Sequence, residues 1–154
     1  MPSFRTSRRV PHSAEEMFDL VADVEKYPLF LPLCEALKIR RREERDQRPV
    51  LVADMTVAYK IFRETFTSRV TLDREKRSIL VEYLDGPFSR LENRWSFEPL
   101  EAGGCEVRFF IDWELRSRTL SMLVGAAFER VFRRYAEAFE QRADRVYGAK
   151  PALA

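Results

Sequence analysis

The stretch Cys105-Glu106-Val107-Arg108-Phe109-Phe110-Ile111-Asp112-Trp113-Glu114-Leu115 places an apolar residue at every second position, six times in succession. Successive side chains of a strand point to opposite faces, so this period gathers Cys105, Val107, Phe109, Ile111, Trp113 and Leu115 on one face. Upstream, Ala102-Gly103-Gly104 reads as a turn, and Leu91, Asn93, Trp95 and Phe97 alternate before it. Asp85-Gly86-Pro87 is a second turn, preceded by alternating Ile79, Val81 and Tyr83. Phe62, Phe66, Val70 and Leu72 share one parity with Glu64 and Ser68, while Leu51, Ala53, Met55, Val57 and Tyr59 alternate further back. Turns at this spacing predict an antiparallel meander with one dry face. Phe4 to Val10 adds a short strand closed by Pro11.

Helical periods flank the meander. Ser13 and Glu16 form a capping box, and Met17, Phe18, Leu20 and Val21 follow at helical spacing. This helix must stop before Pro28, because the residue preceding proline is pushed out of the helical region. Asp23 to Leu33 is then an apolar connection that either covers something or touches something. Downstream, Ser117 or Ser121 caps a helix that no proline interrupts as far as Tyr147, with Gly148 as its stop. Leu120, Leu123, Val124, Ala127, Phe128, Val131, Tyr135, Ala138 and Phe139 form its apolar stripe. The class is α+β: a curved sheet with one apolar face and a long helix to cover it. Curling a sheet around one helix leaves a widening gap between them, which is a natural ligand site.

Composition sets bounds on function. The 154 residues are 45% hydrophobic and 34% charged, a globular balance that fits one domain. Twenty-seven basic and 25 acidic residues leave a net charge of +2, so any attraction to nucleic acid or lipid must come from local patches. Five glycines argue against glycine-built phosphate loops. Cys34 and Cys105 stand far apart with one histidine in the chain, which is too few ligands for a structural zinc. They read as buried free thiols in a reducing, cytosolic compartment. Neither a signal peptide nor a membrane-spanning run is expected.

Several motifs together carry a family resemblance. Val21-Ala22-Asp23-Val24-Glu25-Lys26-Tyr27-Pro28-Leu29-Phe30-Leu31-Pro32-Leu33-Cys34 is similar to the signature of the coenzyme Q-binding START-domain family. So are Thr65-Phe66-Thr67-Ser68-Arg69-Val70, Asp85-Gly86-Pro87-Phe88, Leu91-x-Asn93-x-Trp95-x-Phe97, and the terminal stretch with Gly125, Phe128 and Ala138-Phe139-Glu140-x-Arg142. The resemblance runs from about Phe4 to Tyr147. It implies a helix-grip (START-like) fold, a curved antiparallel sheet of about six to seven strands wrapped around a long C-terminal helix. One domain over residues 1–148 would be followed by a disordered tail, 149–154. The family includes mitochondrial quinone-binding proteins and bacterial relatives described as ribosome-association toxins, within a superfamily that also holds polyketide cyclases. The chain departs from the family at Ala58, where relatives usually carry glycine, and at Asp73-Arg74, which replaces a proline-containing turn. An inward Ala58 methyl would narrow the cavity.

The resemblance implies a polyprenyl quinone (ubiquinone) as bound ligand, no catalytic cofactor and no metal. It also implies a carrier that supports respiratory electron transport or quinone biosynthesis, cytoplasmic and peripheral to the inner face of the membrane. The expected lining is Tyr59, Phe66, Ser68, Tyr83, Leu91, Asn93, Trp95, Phe109, Trp113, Leu123 and Phe128. Taken singly, each aromatic among them also reads as ordinary core. A buried Asn93 amide needs partners, either a quinone carbonyl or the protein's own groups. Tyr27, Phe30, Leu31, Pro87 and Phe88 are placed at the cavity mouth, where they either dip into a bilayer or plug the end of the sheet. Arg40-Arg41-Arg42 and Arg130, Arg133 and Arg134 serve either anionic lipid, ribosomal RNA or plain solvation.

Catalysis finds little support in the sequence. His12 reads as a surface residue without a nucleophile near it, and Glu64 either points inward with a raised pKa or sits at a strand end in water. Asp112 is the other candidate acid. The expected order of functions is quinone carrier, then ribosome-directed toxin that blocks subunit association, then cyclase-like enzyme. No DNA partner is expected.

Overall fold

Chain-reversing turns between successive strands dictate a meander, because a tight turn lays each strand antiparallel beside the one before it. The computed structural model describes residues 3–151. Its strands are β1 (Ser3–Val10), β2 (Cys34–Arg45), β3 (Arg48–Tyr59), β4 (Phe62–Asp73), β5 (Ser78–Asp85), β6 (Phe88–Pro99) and β7 (Cys105–Leu115). All pair antiparallel in the order β1-β7-β6-β5-β4-β3-β2. Six strands run as consecutive hairpins, and β1 closes against β7 with Val10 opposite Cys105. Of the two margins, β1 exposes Arg5, Arg8 and Arg9, and β2 exposes a run of arginines and glutamates.

Between β1 and β2 the chain crosses from one margin to the other through helix α1 (Ala14–Ala22) and a 3₁₀ turn, Val24–Leu29. The capping box is present: Glu16 N–H donates to Ser13 Oγ, and Ser13 N–H donates to Glu16 Oε1, each at 3.0 Å. Ala14, Met17, Phe18, Leu20 and Val21 are buried, and the Phe18 ring meets Phe97 edge-on with centroids 6.0 Å apart. Each such full burial contributes roughly 1.5–3 kcal/mol.

The covering helix differs from expectation. It is two helices, α2 (Arg118–Arg133) and α3 (Tyr135–Tyr147), capped at the start by Ser117, whose Oγ accepts from Leu120 N–H at 3.1 Å. The break falls at Arg134 (φ −103°, ψ 0°), whose N–H turns to Val131 O at 2.9 Å in place of the normal helical partner. No proline or glycine causes it. On either side of it Phe132 and Tyr135 both face the sheet, where Phe132 meets Trp113 and Tyr135 meets Phe109, their own ring centroids 5.4 Å apart.

His12 is a second departure: it is 0% exposed, not a surface residue. Helix α3 crosses the β1–α1 junction, and the ring donates from Nε2 to Asp144 Oδ1 at 2.6 Å. Tyr147 packs beside it, donating its own hydroxyl to Glu16 O at 3.2 Å. Of the tail expected to be disordered, residues 149–151 carry no helix or strand, yet Lys150 is paired with Glu16. The remainder, 152–154, lies outside the described residues. Cys34 and Cys105 are buried free thiols, as expected; burial pushes their pKa values up to about 11 and about 12, so both stay protonated near neutrality.

Candidate ligand cavity

The dry face of a strongly curved sheet cannot be filled by one helix row, and a gap remains between them. A cavity of about 90 Å³ lies there. Its walls are Ala53, Met55 and Val57 of β3, Phe66, Ser68 and Val70 of β4, Val81 of β5, Leu91, Asn93 and Trp95 of β6, and Ile111 of β7. Phe128, Val131, Phe132, Tyr135 and Phe139 of α2 and α3 roof it, and Val24, Tyr27, Leu31 and Leu33 close one end. Among the described residues no charged side chain lines it. A void of this size costs about 2 kcal/mol relative to a filled core.

Of the residues expected to line a ligand space, Phe66, Ser68, Leu91, Asn93, Trp95 and Phe128 do reach the cavity. Five others do not. Tyr59 ends β3 with the Lys60 ammonium 5.4 Å from its ring centre. The Tyr83 hydroxyl accepts from Phe88 N–H at 3.1 Å, which holds the β5–β6 turn. Phe109 stands behind Trp95, centroids 4.7 Å apart, and Trp113 packs edge-on against Phe132 at 5.5 Å; both are core. Leu123 faces away from the sheet and is 72% exposed. The apolar stripe is wider than the inner face of α2, whose buried residues are Val124, Ala127, Phe128 and Phe132.

The expected mouth divides in the same way. Tyr27, Leu31 and Phe88 line the cavity; Phe88 is fully buried, and Tyr27 is half-buried with its hydroxyl donated to Val21 O. Phe30 packs edge-on against Phe139 at 5.1 Å, and Pro87 O accepts from Arg116 N–H at 2.8 Å. Val131, Phe132, Tyr135 and Phe139 of the roof were not expected as site residues. Phe132 stands four residues after Phe128, so the ordinary helical period carried that information.

Asn93 has its partners within the protein. Its Nδ2 donates to Phe110 O and its Oδ1 accepts from Trp95 Nε1, each at 2.9 Å. The amide thus fixes the indole against the cavity wall. Ser68 sits at a bulge in the β4–β5 ladder, opposite Tyr83 on one side and Ala53 on the other. Burial raises the pKa values of Tyr27 and Tyr135 well above the ordinary tyrosine range, so both keep their protons.

The remaining candidates lie elsewhere. Glu64 is exposed at the start of β4. Asp112 is gripped by Arg90, which donates from Nε at 2.9 Å and Nη2 at 3.2 Å and holds the carboxyl below its ordinary pKa. Ala58 does not line the cavity and so does not narrow it. Asp73 accepts from Lys76 N–H at 3.1 Å and pairs with Arg48, a turn that needs no proline. Arg40, Arg41 and Arg42 pair with Asp54, Glu43 and Glu25, as a solvated face does. No metal-holding cluster and no helix long and apolar enough to cross a membrane occurs among the described residues.

Comparison with known proteins agrees with this architecture. Residues 10–140 match the family described as polyketide cyclase / dehydrase and lipid transport. The ribosome association toxin RatA of Escherichia coli K12 is 34% identical over 97% of this chain and 92% of its own length. The mitochondrial coenzyme Q-binding protein coq10 of Schizosaccharomyces pombe is 31% identical over 78% of this chain and 73% of its own. Among solved structures, the 18 kDa protein CC1736 of Caulobacter crescentus superposes with a TM-score of 0.77 at 31% identity, over 97% of this chain and all of that one. The chain belongs to the polyketide cyclase / dehydrase and lipid transport family, together with the RatA and coq10 proteins.

Proposed function

We propose that this protein binds a polyprenyl quinone of the ubiquinone type in the cavity between its sheet and α2–α3, and carries it without converting it. The protein would present the quinone to membrane enzymes of respiration or quinone synthesis from the cytoplasmic face. The carrying observation is the uncharged, aromatic-walled cavity retained under the helices at a cost to packing. An apolar ligand recovers that cost, since each buried CH₂ contributes about 0.8 kcal/mol. The coenzyme Q-binding name of the coq10 relative supplies the headgroup class. Ligand pockets usually span about 300–1,000 Å³, so uptake requires the helical roof to lift. The break at Arg134 provides a place for α2 to move independently of α3.

Organic extraction of protein purified from cells tests the reading, with uptake from quinone-loaded vesicles as its complement. Co-purifying quinone, or stoichiometric uptake, is the expected result; neither occurring overturns it. A second reading, binding to the ribosome, is favoured by the names of the bacterial relatives. Loss of assembled particles in sucrose gradients on adding the protein would support that reading.

A further inference from the structure

Thr119 to Phe128 is the longest uncharged run in the chain, ten residues inside α2. A helix apolar all round belongs in a buried setting. Only one side of this one is covered: Val124, Ala127 and Phe128 are buried, whereas Met122 is 87% and Leu123 72% exposed. Thr119, Ser121 and Ala126 complete the bare side. Ile61, wholly exposed at the β3–β4 hairpin tip, belongs to the same end of the molecule, because the adjacent Phe62 packs edge-on against Phe128 with centroids 5.6 Å apart.

Charge around the bare side is one-sided. From Arg116 to Arg134 the chain carries five arginines against the single Glu129, within a protein of net charge +2. Arg116 and Arg118 precede the uncharged run, and Arg130, Arg133 and Arg134 follow it; Arg133 pairs with Glu129 and Arg116 donates to Phe88 O, which leaves Arg118 before the run and Arg130 and Arg134 after it for an outside partner. Long cationic side chains at both ends of an apolar helical face are the pattern of a helix lying in a membrane interface: the face enters the acyl boundary and the cations reach anionic headgroups. The opposite face of the same helix, through Phe128, Val131 and Phe132, roofs the cavity. We propose that the outer face of α2, with Ile61, is the surface by which this protein lies on an anionic bilayer, so that its ligand is exchanged past α2. The proposal rests on the lipid-ligand reading above and carries its membrane contact on α2 and the β3–β4 tip, beside the Pro87–Phe88 turn to which Arg116 is bonded.

Sedimentation of the full chain with vesicles of equimolar phosphatidylcholine and phosphatidylglycerol is the test. The double variant Met122→Ser/Leu123→Ser should bind about tenfold more weakly or worse, because two inserted side chains are lost. Its thermal midpoint and its uptake of quinone from detergent solution should match the unaltered protein. Val146→Ser, which removes an apolar residue of α3 that is 49% exposed, should bind as the unaltered protein does. Equal vesicle binding by the double variant overturns the proposal. So does a dimer of the unaltered protein that the double variant converts to monomer, which would make this face an interface between copies. Failure of the unaltered protein to take up quinone from detergent as well as from vesicles counts against the carrier reading instead, whatever the vesicles show.

Discussion

At the scale of single residues, Asn93 shows how a polar side chain on a dry face is put to use. One amide serves a neighbouring strand's carbonyl and an indole N–H, and thereby fixes the orientation of Trp95 at the cavity. Asn93→Leu should cost roughly 1–3 kcal/mol, because two buried partners lose their hydrogen bonds. Urea unfolding followed by tryptophan fluorescence would read both the lost stability and the altered Trp95 environment. The alternation Leu91-x-Asn93-x-Trp95 placed this residue correctly in the sequence, but its partners could not be read there. The Phe110 carbonyl is brought alongside by strand register, which period two alone does not supply. His12 was illegible for a related reason: what buries it is Asp144 and Tyr147, and only the docking of α3 brings them there.

At the scale of elements, hairpins and the capping box were legible and the second cap was narrowed to Ser117 or Ser121, because turn residues and helix caps act through neighbours a few positions away. The Asp85-Gly86-Pro87 turn is a case where local conformation and packing coincide. Gly86 has φ +141°, and a Cβ built there would lie 2.6 Å from Phe66 Cβ. Gly86→Ala is therefore strained by its backbone and by a contact that only movement of β4 relieves. A loss of about 1–3 kcal/mol is expected, measured by chemical denaturation, together with disturbed packing of Phe66 on Phe88. The division of the covering helix at Arg134 left no trace in the sequence, since nothing there breaks a helix intrinsically. The exposed Leu123 follows from the same lack: a stripe drawn from hydrophobicity alone cannot tell a side that meets the sheet from one that meets something else.

At the scale of the whole molecule, the retained cavity is the property that separates this protein from an efficiently packed one. Ala53 is 2% exposed and lines the cavity between Ile39 and Ser68 in the ladder. Ala53→Leu should fill part of the space, leaving stability unchanged or raised by up to about 2 kcal/mol while quinone uptake falls sharply. Isothermal uptake and thermal melts on the same preparations would check the two effects separately; a variant that loses stability would show the space to be unavailable at that wall. The meander, its order and its α+β class were readable because consecutive hairpins leave few alternatives. The seat of β1 against β7 was not, since nothing in Phe4 to Val10 names a partner about a hundred residues away. That pairing also imposes a timetable on biosynthesis. During vectorial emergence of the polypeptide, β1 must wait, unmated, until β7 has left the exit tunnel, and His12 waits longer still for Asp144. The arginine-studded margins of the nascent sheet then act as temporary guards against mispairing with other newborn chains.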